Sequence, residues 1–121
     1  MIQDQNSKKY DLEERTFSFA KKVREFVKKI PRSETNRVYV DQLIRSASSI
    51  GANYIEANES MSKKDFAMRV KICRKEAKET RYWLNLIEVS GGELENEKLA
   101  LAREVEELMK IFGSIVEKVK F

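Results

Sequence analysis

The chain has 121 residues, 36% of them charged, with a net charge of +4 and a hydrophobic fraction of 41%. That suffices for one domain with a buried core, spanning 1–121, and excludes a disordered tail; no apolar run approaches the roughly 18 residues that a bilayer span requires. Histidine is absent, which removes His-based acid–base catalysis, Ser-His and Cys-His nucleophile pairs, and the usual zinc and di-iron ligand sets.

One proline and four glycines leave few places to interrupt a helix, so the fold class expected is all-α. The first helix is predicted over about 11–30. Asp11 is placed to cap it with Glu14 completing a capping box, and Phe19, Ala20, Val23, Phe26, Val27 and Ile30 recur at the three-and-four spacing of one face. Pro31 ends it. Ser33 or Thr35 then caps a second helix over about 34–58, whose stripe is Val40, Leu43, Ile44, Ala47, Ile50, Gly51, Tyr54 and Ile55.

Ser62, with Asp65 three residues on, opens a third helix over about 63–90. Its heptad of Phe66, Val70, Cys73, Ala77, Thr80, Leu84 and Ile87 is the narrow seam of an antiparallel bundle. Gly91 and Gly92 are expected to stop it. Asn96 or a neighbour begins the last helix, about 95–120, with Leu101, Val105, Leu108, Phe112, Ile115 and Val119 in heptad spacing and Ala102, Met109 and Val116 beside them. Four long helices and short loops predict an up-down-up-down antiparallel four-helix bundle. The second and fourth stripes are wider than one seam needs. Either a second buried face makes a homo-oligomer, or the core of the bundle is simply wide.

Cys73 is the only cysteine, which forbids an internal disulfide, and its place on an apolar stripe reads as a small core residue. The first residues, MIQDQNSKKYDLEE, carry no apolar segment of the secretory type, so the cytoplasm is the expected location.

Charge is uneven along the chain. Residues 1–32 hold nine Lys and Arg against five acids, and residues 61–82 hold eight against three, whereas the second and fourth helices lean acidic. In the third helix Lys71, Arg74, Lys75, Lys78 and Arg81 fall mostly away from the heptad seam, a row able to follow a phosphate backbone. Lys21, Lys22, Lys28 and Lys29 of the first helix could extend it. The plain alternative is a solvated face, partly offset by Glu76 and Glu79 of the same helix.

The stretch SASSIGANYIEANES, residues 46–60, divides by helical spacing. Ala47, Gly51 and Ile55 share a face on which small residues let a neighbouring backbone approach closely. Gln42, Arg45, Ser49, Asn53 and Glu56 line an adjacent face, and with Glu79 of the third helix they are candidates for a hydrogen-bond network that fixes helix register; the alternative is a solvated polar face. Glu56 and Glu59 lack the further ligands that a metal site demands. No catalytic residue, metal or cofactor is therefore expected.

The order Pro31, Gln42-Leu-Ile-Arg45, Ser49-Ile-Gly-Ala-Asn53-Tyr-Ile-Glu56, the helix start Ser62-Lys-Lys-Asp-Phe66 and Glu76-Ala-Lys-Glu79-Thr-Arg-Tyr-Trp-Leu84 resembles the four-helix-bundle proteins encoded in bacterial 23S rRNA intervening sequences. The likeness runs from about Tyr10 to Ile115. Many members place Gly after Asn-x-x-Glu, where this chain has Ala57 and Asn58; Asn58 is able to take the left-handed conformation at a helix end. The resemblance implies a left-handed bundle that assembles into a ring-like homopentamer, with no enzymatic activity assigned. It also implies a fold similar to the accessory protein of diversity-generating retroelements, a basic pentamer that works with a reverse transcriptase and its RNA. Two functions follow as expectations for a non-enzymatic protein. One is RNA or DNA binding through the basic helices; the other is a structural or protein-interaction module with no nucleic-acid role.

Overall fold

The computed structural model describes the backbone of residues 2–119 and the side chains of residues 12–119. Four helices follow in order, α1 (Ile2–Val27), α2 (Glu34–Asn58), α3 (Lys63–Leu86) and α4 (Gly92–Lys118), and no strand occurs among the described residues. None of these helices is long and apolar enough to cross a membrane.

Two of the expected caps are in place. Ser33 Oγ accepts from the Asn36 amide at 3.0 Å and Ser62 Oγ from the Asp65 amide at 3.1 Å, each satisfying one of the amides that a helix start leaves without an intrahelical partner. Other boundaries differ from expectation. α1 already runs through Asp11, because no glycine or proline stands between residues 2 and 27 to break it; the capping role assigned to the Asp11 side chain lies outside the described residues, as does the end of α4 expected at residue 120. Asn58 does not turn left-handed. No described non-glycine residue has positive φ, and Asn58 Nδ2 donates instead to Glu13 Oε2 of α1 at 2.6 Å.

The end of α3 is the clearest departure. Gly91 and Gly92 do not stop it: the helix ends at Leu86, and Gly91, at φ 98°, is the residue that precedes α4. Tertiary contacts explain the early stop. Ile87 turns extended and sits fully buried in the core. Asn36, buried at the start of α2, then holds the loop: its Nδ2 donates to the Glu88 carbonyl at 3.0 Å and to the Pro31 carbonyl at 3.3 Å, while its Oδ1 accepts from the Glu88 amide at 3.2 Å. These bonds take the place of the helical ones that the Glu88 backbone gives up.

α1 packs on α2 and α4, α2 on α3, and α3 on α4; among the described residues the backbones of α1 and α3, and of α2 and α4, do not come close. Each helix therefore lies diagonally across from one other. Partners rise in residue number on one side as they fall on the other: Arg15 of α1 and Lys29 of the turn after it meet Glu104 and Glu97 of α4, and Arg45 and Asn53 of α2 meet Glu76 and Arg69 of α3.

The core follows the expected stripe closely in α3, where Val70, Cys73, Ala77, Thr80 and Leu84 are buried, as is Ile87 just past the helix end. Burial pushes the Cys73 thiol up to about 12, so it stays protonated, and its Sγ donates to the Ile50 carbonyl at 3.4 Å. α1 and α2 approach closely at the small-residue seam. A Cβ on Gly51 would stand 3.0 Å from Thr16 Oγ1 and 3.3 Å from Thr16 Cβ, and Thr16 is itself fully buried and fixed by a 2.8 Å bond to the Leu12 carbonyl. Here glycine is needed for the space its missing side chain leaves.

α2 does not bury its whole stripe. Ile44 is 41% exposed and Ile55 53%, and Phe17 of the adjoining α1 is 63% exposed. The extra width of α2 is thus not taken up by the core. On α4, by contrast, Met109 and Val116 are partly buried against the core.

Candidate nucleic-acid interface

α3 carries the basic row, and helical spacing with exposure decides where each member points. Lys71, Lys75 and Lys78 are all exposed and recur at four and three residues, so they form one outward line. None is ion-paired to a described residue. Arg74 and Arg81 stand on the flank toward α4: Arg74 lies along Gly113, where an added Cβ would come within 3.7 Å of its guanidinium, and Arg81 Nη1 is 3.8 Å from Glu106 Oε1.

The acids of α3 are drawn to its other flank. Arg45 of α2 donates from Nη1 to Glu76 Oε1 at 3.3 Å, from Nη2 to Glu79 Oε1, and from Nε to Gln42 Oε1 at 3.1 Å. Glu76 is only 7% exposed. A buried carboxylate needs a charged partner to offset its lost hydration, and Arg45 provides it. In consequence the two glutamates expected to offset the lysines face α2, and the outward line has no acid in it.

The polar row of α2 thus divides in two. Gln42, Arg45 and Glu79 share the cluster around Glu76, and further along Asn53 Nδ2 donates to both the carbonyl and the Oγ of Ser49 at 2.9 Å while its Oδ1 accepts from Arg69 Nη1 at 3.2 Å. Glu56 stands apart, exposed, with no hydrogen bond from its side chain to a described residue. Glu76 was read from sequence as a charge offsetting the lysines and not as the partner of Arg45, and Arg69 and Ser46 were not singled out. Ser46 sits buried between the helices and its Oγ accepts from Thr80 Oγ1 at 2.9 Å. The pairing of α2 with α3 is the signal that could have found them, since it sets each opposite its partner.

The basic residues of α1 and of the turn that follows it, where Lys28 and Lys29 fall past the helix end at Val27, do not prolong this line. α1 lies diagonally across from α3, so Lys21, Lys22, Lys28 and Lys29 stand on another side of the molecule. Several are also engaged: Lys28 Nζ is 3.2 Å from Glu25, Lys29 Nζ 3.2 Å from Glu97, and Lys21 Nζ lies 4.8 Å from the centre of the Phe17 ring. Lys22 is exposed. The acids of α4 offset α1 further. Arg15 forks onto Glu104 at 2.7 and 2.9 Å and reaches Glu107 at 3.0 Å, contacts that hold its guanidinium more firmly protonated than usual.

At the far end of the lysine line stands an aromatic group that the charge pattern had not drawn in. Tyr82, four residues past Lys78 on the same outward face, is 59% exposed. Trp83 meets its ring edge-on with centres 5.0 Å apart, and Tyr39 of α2 stacks on Trp83 at 6.1 Å. The Trp83 indole nitrogen is buried and has no hydrogen-bond partner among the described residues.

Among the described residues no group of three or more acidic or cysteine side chains gathers as metal ligands would. Comparison with curated proteins gives no match. Among solved structures, this chain is similar to a protein of unknown function from the S23 ribosomal protein family of Bacteroides thetaiotaomicron VPI-5482, with 30% identity over 92% of this chain and 99% of that one and a TM-score of 0.79. The profile of the 23S rRNA-intervening sequence proteins matches residues 8–114, which takes in all of α2 and α3 and nearly all of the core described above, and the chain therefore belongs to the 23S rRNA-intervening sequence protein family.

Proposed function

We propose that this chain is a non-enzymatic, cytoplasmic bundle protein that assembles into a ring-like homopentamer and binds RNA or DNA through the outward face of α3. One observation carries the binding site: Lys71, Lys75 and Lys78 form an exposed line whose neighbouring acids are drawn aside by Arg45. Unpaired cations in a line attract a polyanion, and each phosphate they neutralise releases counterions. The bundle is read as up-down-up-down and left-handed. The opposed order of the contacts between α1 and α4 and between α2 and α3 supports the first part, and the family supports the second.

Reversing all three lysines (Lys71→Glu, Lys75→Glu, Lys78→Glu) is expected to reduce the slope of log affinity against log salt by about 2–3, each lost phosphate contact removing about 0.7–0.9. Reversal of Lys28 and Lys29, which are already paired with Glu25 and Glu97, is expected to change it less. Filter binding to a mixed RNA pool across a salt series measures both. An unchanged slope for the α3 variant would remove the site.

Self-assembly draws on the uncovered apolar strip of Phe17, Ile44 and Ile55. Single exposed apolar residues are ordinary, but a strip along one helix seam is typical of a protein contact. The same strip would serve a module that binds a different protein and no nucleic acid, the second reading. Ile44→Asp is expected to convert the oligomer to monomer in light scattering, because it places a charge in the contact. A wild-type protein that is already monomeric would leave the strip to a different partner.

A further inference from the structure

We propose that the ligand of the α3 face is a single-stranded nucleic acid, held with one unpaired base stacked on Tyr82 while Lys71, Lys75 and Lys78 take the adjoining phosphates. This rests on the reading that the lysine line contacts phosphate, and adds the state of the strand. Spacing continues the line from the lysines to the tyrosine: residues 71, 75, 78 and 82 advance by four, three and four, the interval that keeps side chains on one helical face. All four are exposed.

Tyr82 differs from the other exposed apolar residues in how it is held. Trp83 braces it edge-on, with ring planes at 75°, and Tyr39 backs Trp83 in a stack at 28°, so that the aromatic group is anchored through two helices. An edge-on contact cannot cover both faces of the tyrosine ring, and the residue is 59% exposed. Away from its two ends a duplex cannot use that face, because its bases are covered above and below by their neighbours. An unpaired base can, and stacking of this kind tolerates any sequence because every base has a π-face.

The test titrates three fluorescently labelled probes by anisotropy: a short mixed-sequence single-stranded RNA, the DNA of the same sequence, and the blunt RNA duplex. Tyr82→Ala is expected to weaken the single strands by about tenfold and to leave the duplex unchanged, with Tyr82→Phe close to wild type. Far-UV circular dichroism checks that Tyr82→Ala keeps its helices, so that any loss of duplex binding is read as a binding effect. Trp83, the only tryptophan, is expected to change its fluorescence when a single strand binds and not when the duplex does. Equal losses on RNA and DNA assign the base face as the shared element, and a loss on RNA alone assigns a ribose-bearing strand. If Tyr82→Ala binds single strands as wild type does, or weakens the duplex equally, stacking is overturned while the lysine site stands. If reversal of the three lysines leaves every probe unaffected, the underlying reading fails and the stacking proposal fails with it.

Discussion

Phe112→Ala is expected to lower the stability of the bundle by about 3–5 kcal/mol, the range for removing a buried aromatic ring from a core that only partly collapses. Phe112 is fully buried in α4 and its ring lies 5.9 Å from that of Tyr54 on α2, tilted by 46°. α2 and α4 are diagonal partners whose backbones do not come close among the described residues. These two rings therefore bridge the centre of the bundle, and no neighbouring helix can move in to fill the space without losing its own contacts. Phe112→Leu keeps much of the volume and is expected to cost about 1–1.5 kcal/mol. Urea unfolding at fixed protein concentration measures both, since an oligomer's stability depends on concentration. A cost below about 1 kcal/mol for Phe112→Ala would mean that the core closes around the loss.

How much of this was legible in the sequence varies from residue to residue, for physical reasons. The helices were visible because their stripes repeat and almost nothing breaks them, and Ser33 and Ser62 announced their caps because capping is a local bond between residues three apart. The end of α3 was misread. A Gly-Gly pair is a strong local stop, but the burial of Ile87 and the grip of Asn36 on Glu88 act across 52 positions of the chain, and no local pattern carries them. The start of α1 was misread for the opposite reason: the first residues are polar and show no stripe, yet nothing interrupts the helix.

The candidate site shows the same division. That α3 has an exposed lysine line was readable from spacing alone. That Glu76 and Glu79 turn away from it was not, because this depends on Arg45 standing opposite them on α2. The separation of the α1 lysines from those of α3 was readable in principle, since alternate helices of a four-helix ring lie diagonally, and charge counting along the chain missed it.

Arg45→Met is the second large expectation, at about 2–3 kcal/mol of lost stability. Removing one partner of a fully buried ion pair costs about 3–5 kcal/mol because the other charge stays in place without compensation. The figure is reduced here because the Arg45 side chain is 47% exposed while that of Glu76 is 9% exposed, so water takes over part of what the arginine leaves. The double variant Arg45→Met with Glu76→Leu is expected to recover most of the loss, since an apolar pair of similar size carries no hydration debt. Equilibrium unfolding of the two single variants and the double one closes the cycle. Additive losses would show that the pair is not coupled and that Arg45 acts through Gln42 or Glu79. A second consequence is particular to this fold. Without Arg45, Glu79, which is only partly buried, is free to turn toward the outward face of α3 one helical turn from Lys75 and next to Lys78. Its negative charge would then offset the lysine line, and Arg45→Met is expected to weaken RNA binding even though Arg45 itself belongs to the seam between α2 and α3. Adding Glu79→Gln to Arg45→Met should restore that binding without restoring the stability, which separates the arginine's hold on the buried carboxylate from its hold on the exposed one.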